Sequence, residues 1–211
     1  MDKSTQIATF SRFTQVSRET ITSLKKYENL LIKANRTLNL IGESTIKQIW
    51  LRHFLDSSQV IDFIHKNDDI MVDLGSGAGF PGLVIAIVAK DKKIPLKVKL
   101  IEKSPKKVKF LRKIISELNL KVEVINKNVL REEVKLIENV FVARAFKPLE
   151  IILQLMHKMA ENLKKIFIFL GKTGQNQLLQ ASKVWDIKYK QRMRVTSSES
   201  AIIEINNLKK K

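Results

Sequence analysis

The sequence predicts an α/β fold, a mostly parallel seven-stranded sheet with helices on both faces and a small helical part at the N-terminus. Three observations carry this. The apolar run Ile70-Met71-Val72 leads straight into Asp73-Leu74-Gly75-Ser76-Gly77-Ala78-Gly79-Phe80-Pro81-Gly82, which holds four of the chain's seven glycines and reads as strand, tight turn and helix start. From Ile70 onward short apolar strands alternate with helical periodicities, the rhythm of parallel β-α-β units. Two β-rich runs near the C-terminus, Ile187 to Val195 and Ala201 to Ile205, read as a closing antiparallel pair.

Taken in order, Ser17 to Ala34 carries apolar residues at Ile21, Leu24 and Leu31 and predicts a helix, Asn35 to Gly42 reads as a connection, and Glu43 to Phe63 as further helices. A strand ends at Asp73, a helix runs from Pro81 to about Ala89, and a second strand spans Leu96 to Ile101. Ser104-Pro105 opens the next helix as cap and first residue, with Val108, Leu111, Ile115 and Leu118 as its buried stripe. Strands at Val122 to Ile125, Val140 to Ala143 and Ile166 to Leu170 follow, with a helix over Leu149 to Met159. Residues 1–66 are expected to pack as a helical part on the core of 67–211, the two forming one structural unit.

Composition narrows the function. With no cysteine there can be no disulfide, thiolate metal site or cysteine nucleophile. The longest apolar run, Leu83 to Ala89, is far short of the roughly 20 residues of a membrane span, and Met1 to Thr20 is too polar for a signal peptide, so a cytoplasmic protein is expected. Thirty-nine basic residues against 21 acidic ones give a net charge of +18. A lysine-rich coding bias would enrich glutamate as well, so the imbalance points to a polyanionic partner, nucleic acid before membrane surface.

The glycine turn suits a nucleotide-like cofactor. Gly77-x-Gly79-x-x-Gly82 satisfies the dinucleotide fingerprint, with Glu102 at about the ribose-binding distance. Asp73, at the last strand position, instead favours a cationic ligand over a pyrophosphate, and S-adenosylmethionine, with its sulfonium and ammonium, fits. Open parallel sheets place ligands outside the carboxyl ends of their strands, where Asp73, Glu102, the segment around Val129 and Leu130, and Arg144 all emerge. Arg144 beside a buried strand needs a partner, either a salt bridge to Asp73 or Glu102 or a role at the cofactor or acceptor.

Arg52-His53-Phe54-Leu55-Asp56-Ser57, then Asp73 to Gly82, then Arg144-Ala145-Phe146 resemble, in that order, the bacterial ribosomal RNA small-subunit methyltransferase G family, also known as the glucose-inhibited division protein B family. The resemblance runs from about Leu24 to Leu170. It implies a Rossmann-like S-adenosylmethionine-dependent methyltransferase fold, with the methyltransferase domain over 67–211. The implied reaction is methyl transfer from S-adenosylmethionine to N7 of a specific guanine in 16S rRNA, on naked RNA or the small ribosomal subunit. A monomer is expected, with neither DNA nor membrane as partner. By family pattern Gly75, Phe80, Val129, Leu130 and Arg144 line the cofactor site, Glu102 meets the ribose, and Arg144 is the one positioning residue. The chain departs from the pattern at Ala34-Asn35 with Asn39-Leu40-Ile41, and at Gly171-Lys172, where the usual order is Lys-Gly.

The chemistry agrees by elimination. Pyrimidine C5 methylation through a covalent adduct needs a cysteine, as does the radical iron–sulfur route, and Ala143-Arg144-Ala145-Phe146 replaces the Asn-Pro-Pro-Tyr motif of exocyclic-amine enzymes. Guanine N7 is an unprotonated acceptor, so no catalytic acid or base and no metal is expected. His53 either fixes the helical part or touches cofactor or RNA, and Phe146 either stacks on the target base or sits in the core. Lys106, Lys109 and Lys113, with Lys107 and Arg112, and also Lys172, are candidate RNA contacts. An NAD-dependent oxidoreductase, a non-catalytic RNA-binding protein and a small-molecule methyltransferase remain as rival readings.

Overall fold

A computed structural model describes the backbone of residues 1–211 and every side chain except those at positions 197 and 198. Helices α1 (Lys3–Thr14), α2 (Arg18–Leu38) and α3 (Glu43–Ile46) open the chain. A π-helical stretch (Trp50–Leu55), the short α4 (Asp56–Ser58) and a 3-10 turn (Gln59–Phe63) follow. Then come β1 (Ile70–Leu74), α5 (Gly82–Asp91), β2 (Lys97–Ile101), α6 (Pro105–Glu117), β3 (Val122–Ile125), β4 (Val140–Arg144) and α7 (Leu149–Met159). The chain ends with β5 (Lys165–Leu170), α8 (Gly174–Val184), β6 (Trp185–Arg194) and β7 (Ser197–Lys210).

The seven strands lie in the order β3-β2-β1-β4-β5-β7-β6, parallel except for β7, which runs antiparallel to both β5 and β6. This is the expected architecture. Alternation along the strands separates two cores. Met71, Leu100, Val142 and Phe167 face α5, α6 and the N-terminal helices, while Val72, Ile101, Phe141 and Ile168 face α7 and α8. The first core also takes in Phe10, Leu24, Tyr27, Leu31, Trp50 and Phe54, so the helical part is packed against the sheet's helices through one continuous apolar cluster.

Differences from the sequence reading have local causes. Helix α1 has no counterpart in that reading, because its twelve residues are mostly polar; Asp2 caps it and only Gln6, Phe10 and Thr14 are buried. Helix α2 continues to Leu38 and ends on Asn39 in the left-handed region, so the Asn35–Gly42 connection is shorter than expected. Pro81 is the cap of α5 and not its first residue, and α8 follows β5 where the periodicity assigns no element. On α6 the fully buried positions are Leu111 and Ile114, with Ile115 and Leu118 only partly covered.

Candidate cofactor and RNA site

Strand order reverses between β1 and β4, and a crevice of about 430 Å³ opens outside the carboxyl ends of β1, β2 and β4, the place where open parallel sheets bind ligands. The turn between β1 and α5 forms one wall of it. Gly75, Gly77 and Gly79 have φ of 69°, 56° and 98°, a left-handed backbone open to glycine at little cost. A Cβ on Gly75 would come within 2.2 Å of the Phe146 ring, whereas one on Gly77 would have nothing nearer than 3.8 Å and would project freely.

The two carboxylates at adjacent strand ends have different surroundings. Glu102 lines the crevice; one oxygen accepts from the Gly77 N–H at 2.9 Å and the other from the Ser104 N–H at 2.8 Å. It thereby ties the turn to the start of α6. Asp73 lies behind the crevice wall, fully buried; Oδ2 accepts from the Gly82 N–H at 2.9 Å and Oδ1 has no hydrogen-bond partner among the described residues. Burial pushes the Asp73 carboxyl up to about 7, with the nearby charge of Glu102 adding to the rise. Of the expected cofactor residues, Gly75, Gly77, Phe80, Glu102, Val129, Leu130 and Arg144 line the crevice together, and Asp73 does not.

Arg144 closes the opposite wall. Its Nη1 donates to Ser57 Oγ at 3.2 Å and its Nη2 donates to the Arg52 carbonyl and to His53 Nδ1, the latter at 3.3 Å. The ionic partner is Asp56, at 3.6 Å, so the alternative of a bridge to Asp73 or Glu102 is corrected: the partner comes from the helical part. The guanidinium also rests over the rings of Phe80 and Phe169, 5.9 and 5.7 Å from their centroids. Burial lowers its pKa to about 10, which leaves it charged at neutral pH. Asp56 in turn accepts from Arg194 at 2.8 Å and from the Thr196 hydroxyl, fastening the tip of the β6–β7 hairpin to the same cluster.

His53 stacks on Phe80 with centroids 4.7 Å apart. Since arginine can only donate, Nδ1 is the acceptor, and Nε2–H then donates to Thr45 Oγ1 at 2.8 Å. Burial, with the charges of Arg144 and Arg52, pulls the imidazole down to about 3, so it is neutral with both nitrogens engaged. Tyr27 also stacks on Phe80 and donates to the Ala78 carbonyl at 2.6 Å, holding the turn from the helical part.

Several lining residues escape the sequence reading. Leu40, Ile41 and Gly42 overhang the crevice, shaped by the Asn35 side chain, which accepts from the Leu40 and Ile41 amides at 2.7 and 2.8 Å. The signal is present in the Asn39-Leu40-Ile41 segment but has no chemistry attached to it. Lys103, Lys127 and Lys147 also line the crevice, as does Lys107, so one carboxylate faces five cations with Arg144 included. The candidates Lys106, Lys109 and Lys113 are exposed on α6 away from this lining, and Lys172 pairs with Glu199 at 2.7 Å beyond β5.

The family model for rRNA small subunit methyltransferase G matches residues 20–206. The chain belongs to the rRNA small subunit methyltransferase G family. It is 39% identical over 198 residues to the ribosomal RNA small subunit methyltransferase G of Pelagibacter ubique, covering 93% of this chain and 92% of that one. Against the protein of the same description from Orientia tsutsugamushi it is 37% identical, covering 90% and 92%. Among solved structures it resembles M. capricolum TrmK in complex with S-adenosyl-homocysteine (TM-score 0.53, 18% identity, 71% and 66% covered) and the 16S rRNA methylase RmtB (TM-score 0.54, 12% identity, 91% and 76% covered), likenesses of fold. As a member of the methyltransferase G family, the protein is an S-adenosylmethionine-dependent 16S rRNA (guanine-N7)-methyltransferase.

Proposed function

We propose that the crevice is the cofactor site of this reaction and that Gly75, Gly77, Phe80, Glu102, Val129, Leu130 and Arg144 hold S-adenosylmethionine there. The observation that carries this is a glycine turn with left-handed backbone at the switch point, flanked by one strand-end carboxylate and one buried arginine. The volume falls within the range of about 300–1,000 Å³ found for small-molecule sites. Glu102 keeps acceptor capacity for a ribose diol beside its two amide contacts, and Val129 and Leu130 offer an apolar surface to a base. Asp73 acts through the turn, by accepting the Gly82 N–H at the start of α5, and not by contact.

When bound, S-adenosylmethionine supplies an electrophilic methyl group on sulfonium. The protein's own share is to position, since guanine N7 needs no proton removed before it attacks. The crevice fits that division: His53 is held neutral with both nitrogens occupied, and Asp73 is sealed behind the wall, so neither is placed as a general base. Arg144 orients the crevice wall and sets its charge.

The excess of lysine around the mouth suits RNA phosphates, and the reading extends to a monomer in the cytoplasm, without DNA or membrane as partner; among the described residues no helix is long and apolar enough to cross a membrane. Residues 1–66 act as a helical part and 67–211 as the methyltransferase domain. The test is incubation with radiolabelled S-adenosylmethionine and small subunits from cells lacking the modification, then borohydride and aniline cleavage. Label at a single guanine of 16S rRNA is expected; no transfer despite cofactor binding would point to another acceptor.

A further inference from the structure

We propose that the acceptor strand of 16S rRNA lies in a trough leading from the cofactor crevice past Phe146 along the carboxyl ends of β4 and β5 to the β6–β7 hairpin, with the target guanine stacked on Phe146. This rests on the cofactor reading above. A second recess of about 340 Å³ adjoins the crevice and shares Ala145, Phe146 and Lys147 with it as common wall. A third, of about 280 Å³, shares Leu170 and Gly171 with the second and reaches Lys172 and the hairpin strands. Neighbouring hollows thus share wall residues along this edge of the sheet.

Two features fit a single strand of nucleic acid. Lys103, Lys107, Lys127 and Lys147 line the crevice end, none of them in an ion pair among the described residues, and Lys172, paired with Glu199 at 2.7 Å, stands at the far end. Single-stranded RNA is held by such cations combined with aromatic platforms. The platform here is Phe146. Ala145 sits at φ 50°, an uncommon conformation for alanine, and the Phe146 ring packs so close to Gly75 that no side chain fits beneath it. A base stacked on this ring stands at the border of the crevice where the methyl group is delivered.

Gly171 offers a clean block. It lines the second and third recesses but not the crevice, and a Cβ there meets nothing within 4 Å. Gly171→Phe should therefore fold, retain S-adenosylmethionine affinity by calorimetry, and lose methylation of unmodified small subunits at least about tenfold in kcat/KM, as expected when the strand's path beyond the stacking ring is obstructed. Phe146→Leu keeps the bulk over Gly75 and removes the stacking face; because Phe146 also walls the crevice, its loss of roughly five- to fiftyfold is read in kcat/KM for RNA at saturating S-adenosylmethionine. Wild-type methylation by either variant would overturn the proposal, and so would a parallel loss of cofactor affinity in Gly171→Phe, which would make the recess part of the cofactor site. Failure of the underlying reading shows separately, as absence of S-adenosylmethionine binding by the wild-type chain.

Discussion

One wall of the crevice is a single run of sequence from Asp73 to Gly82, shaped by backbone conformation and closed by amides donated to Glu102 and Asp73. The other wall, around Arg144, is assembled from three distant segments: Arg52 to Ser57, Arg144 itself and, through Asp56, the hairpin tip at Arg194 and Thr196. The first wall depends on what glycine permits; the second depends on buried charges satisfying one another. They should therefore fail differently when altered, the turn losing ligand while the fold survives and the charge cluster losing stability first.

The largest effect is expected at Asp56. Its side chain is 1% exposed and joins two arginines that are 13% and 10% exposed. Asp56→Asn leaves both cations buried without a counter-ion, and removing one partner of a buried pair destabilises by about 3–5 kcal/mol. A fall in melting temperature on the order of 10 °C follows for a chain of this size. The exposed Asp62–Arg192 pair at 3.2 Å is the internal control: Asp62→Asn should change stability by less than about 1 kcal/mol. Equal losses from the two variants would mean that burial adds nothing to the worth of the Asp56 cluster.

Next in size is Gly77→Val. The left-handed backbone strains valine by about 1–3 kcal/mol, but the added carbons project into open crevice, so a folded protein with S-adenosylmethionine affinity reduced about a hundredfold is expected by calorimetry. Unchanged affinity would take the turn out of the site. A collapse of the melting temperature without a binding effect would instead make the turn a structural element like the other wall.

This contrast also explains what the sequence disclosed. The glycine turn, the strand rhythm and the position of Glu102 are local patterns with fixed spacing, and they are legible because each is dictated by backbone sterics or by period. The partner of Arg144 is not. Asp56 and Arg194 lie 88 and 50 residues away (144 − 56 and 194 − 144), and no spacing rule connects them. Asp73 shows the opposite limit. An acid in the right register is visible, but strand alternation turns it toward α5, and only the packing reveals that its carboxylate accepts the Gly82 N–H from behind the wall. The lysines at the mouth escape for the same reason, since Lys103, Lys127 and Lys147 follow three different strands and converge only in the fold.

Glu102→Gln sharpens the comparison within the first wall. Glutamine has a single acceptor oxygen, so one of the Gly77 and Ser104 amides loses its partner and the ribose-facing charge disappears. S-adenosylmethionine affinity should fall about tenfold, the worth of one charge-assisted hydrogen bond, while affinity for 16S rRNA is unchanged. Intact cofactor affinity with a lowered melting temperature would reduce Glu102 to a tie between the turn and α6.

The smallest expected effect lies in the pH dependence of stability, where the two walls pull in opposite directions. Asp73 has a folded pKa of about 7, above the ordinary carboxylate value, so its contribution is fully present below about pH 4 and is lost as pH rises to 7. His53, depressed to about 3, contributes stability that is present above its ordinary value of 6.5 and is lost as pH falls toward 3. Between about pH 4 and 6.5 the two slopes oppose each other and the wild-type curve flattens. Asp73→Asn keeps an acceptor for the Gly82 N–H but cannot ionise, so it removes only the falling slope. The variant's melting temperature should rise with pH across that window and exceed the wild-type value by a few degrees at about pH 8. Parallel curves for the two proteins would mean that Asp73 ionises in the fold as readily as in the unfolded chain, and that a charge behind the glycine turn is held by the crevice after all.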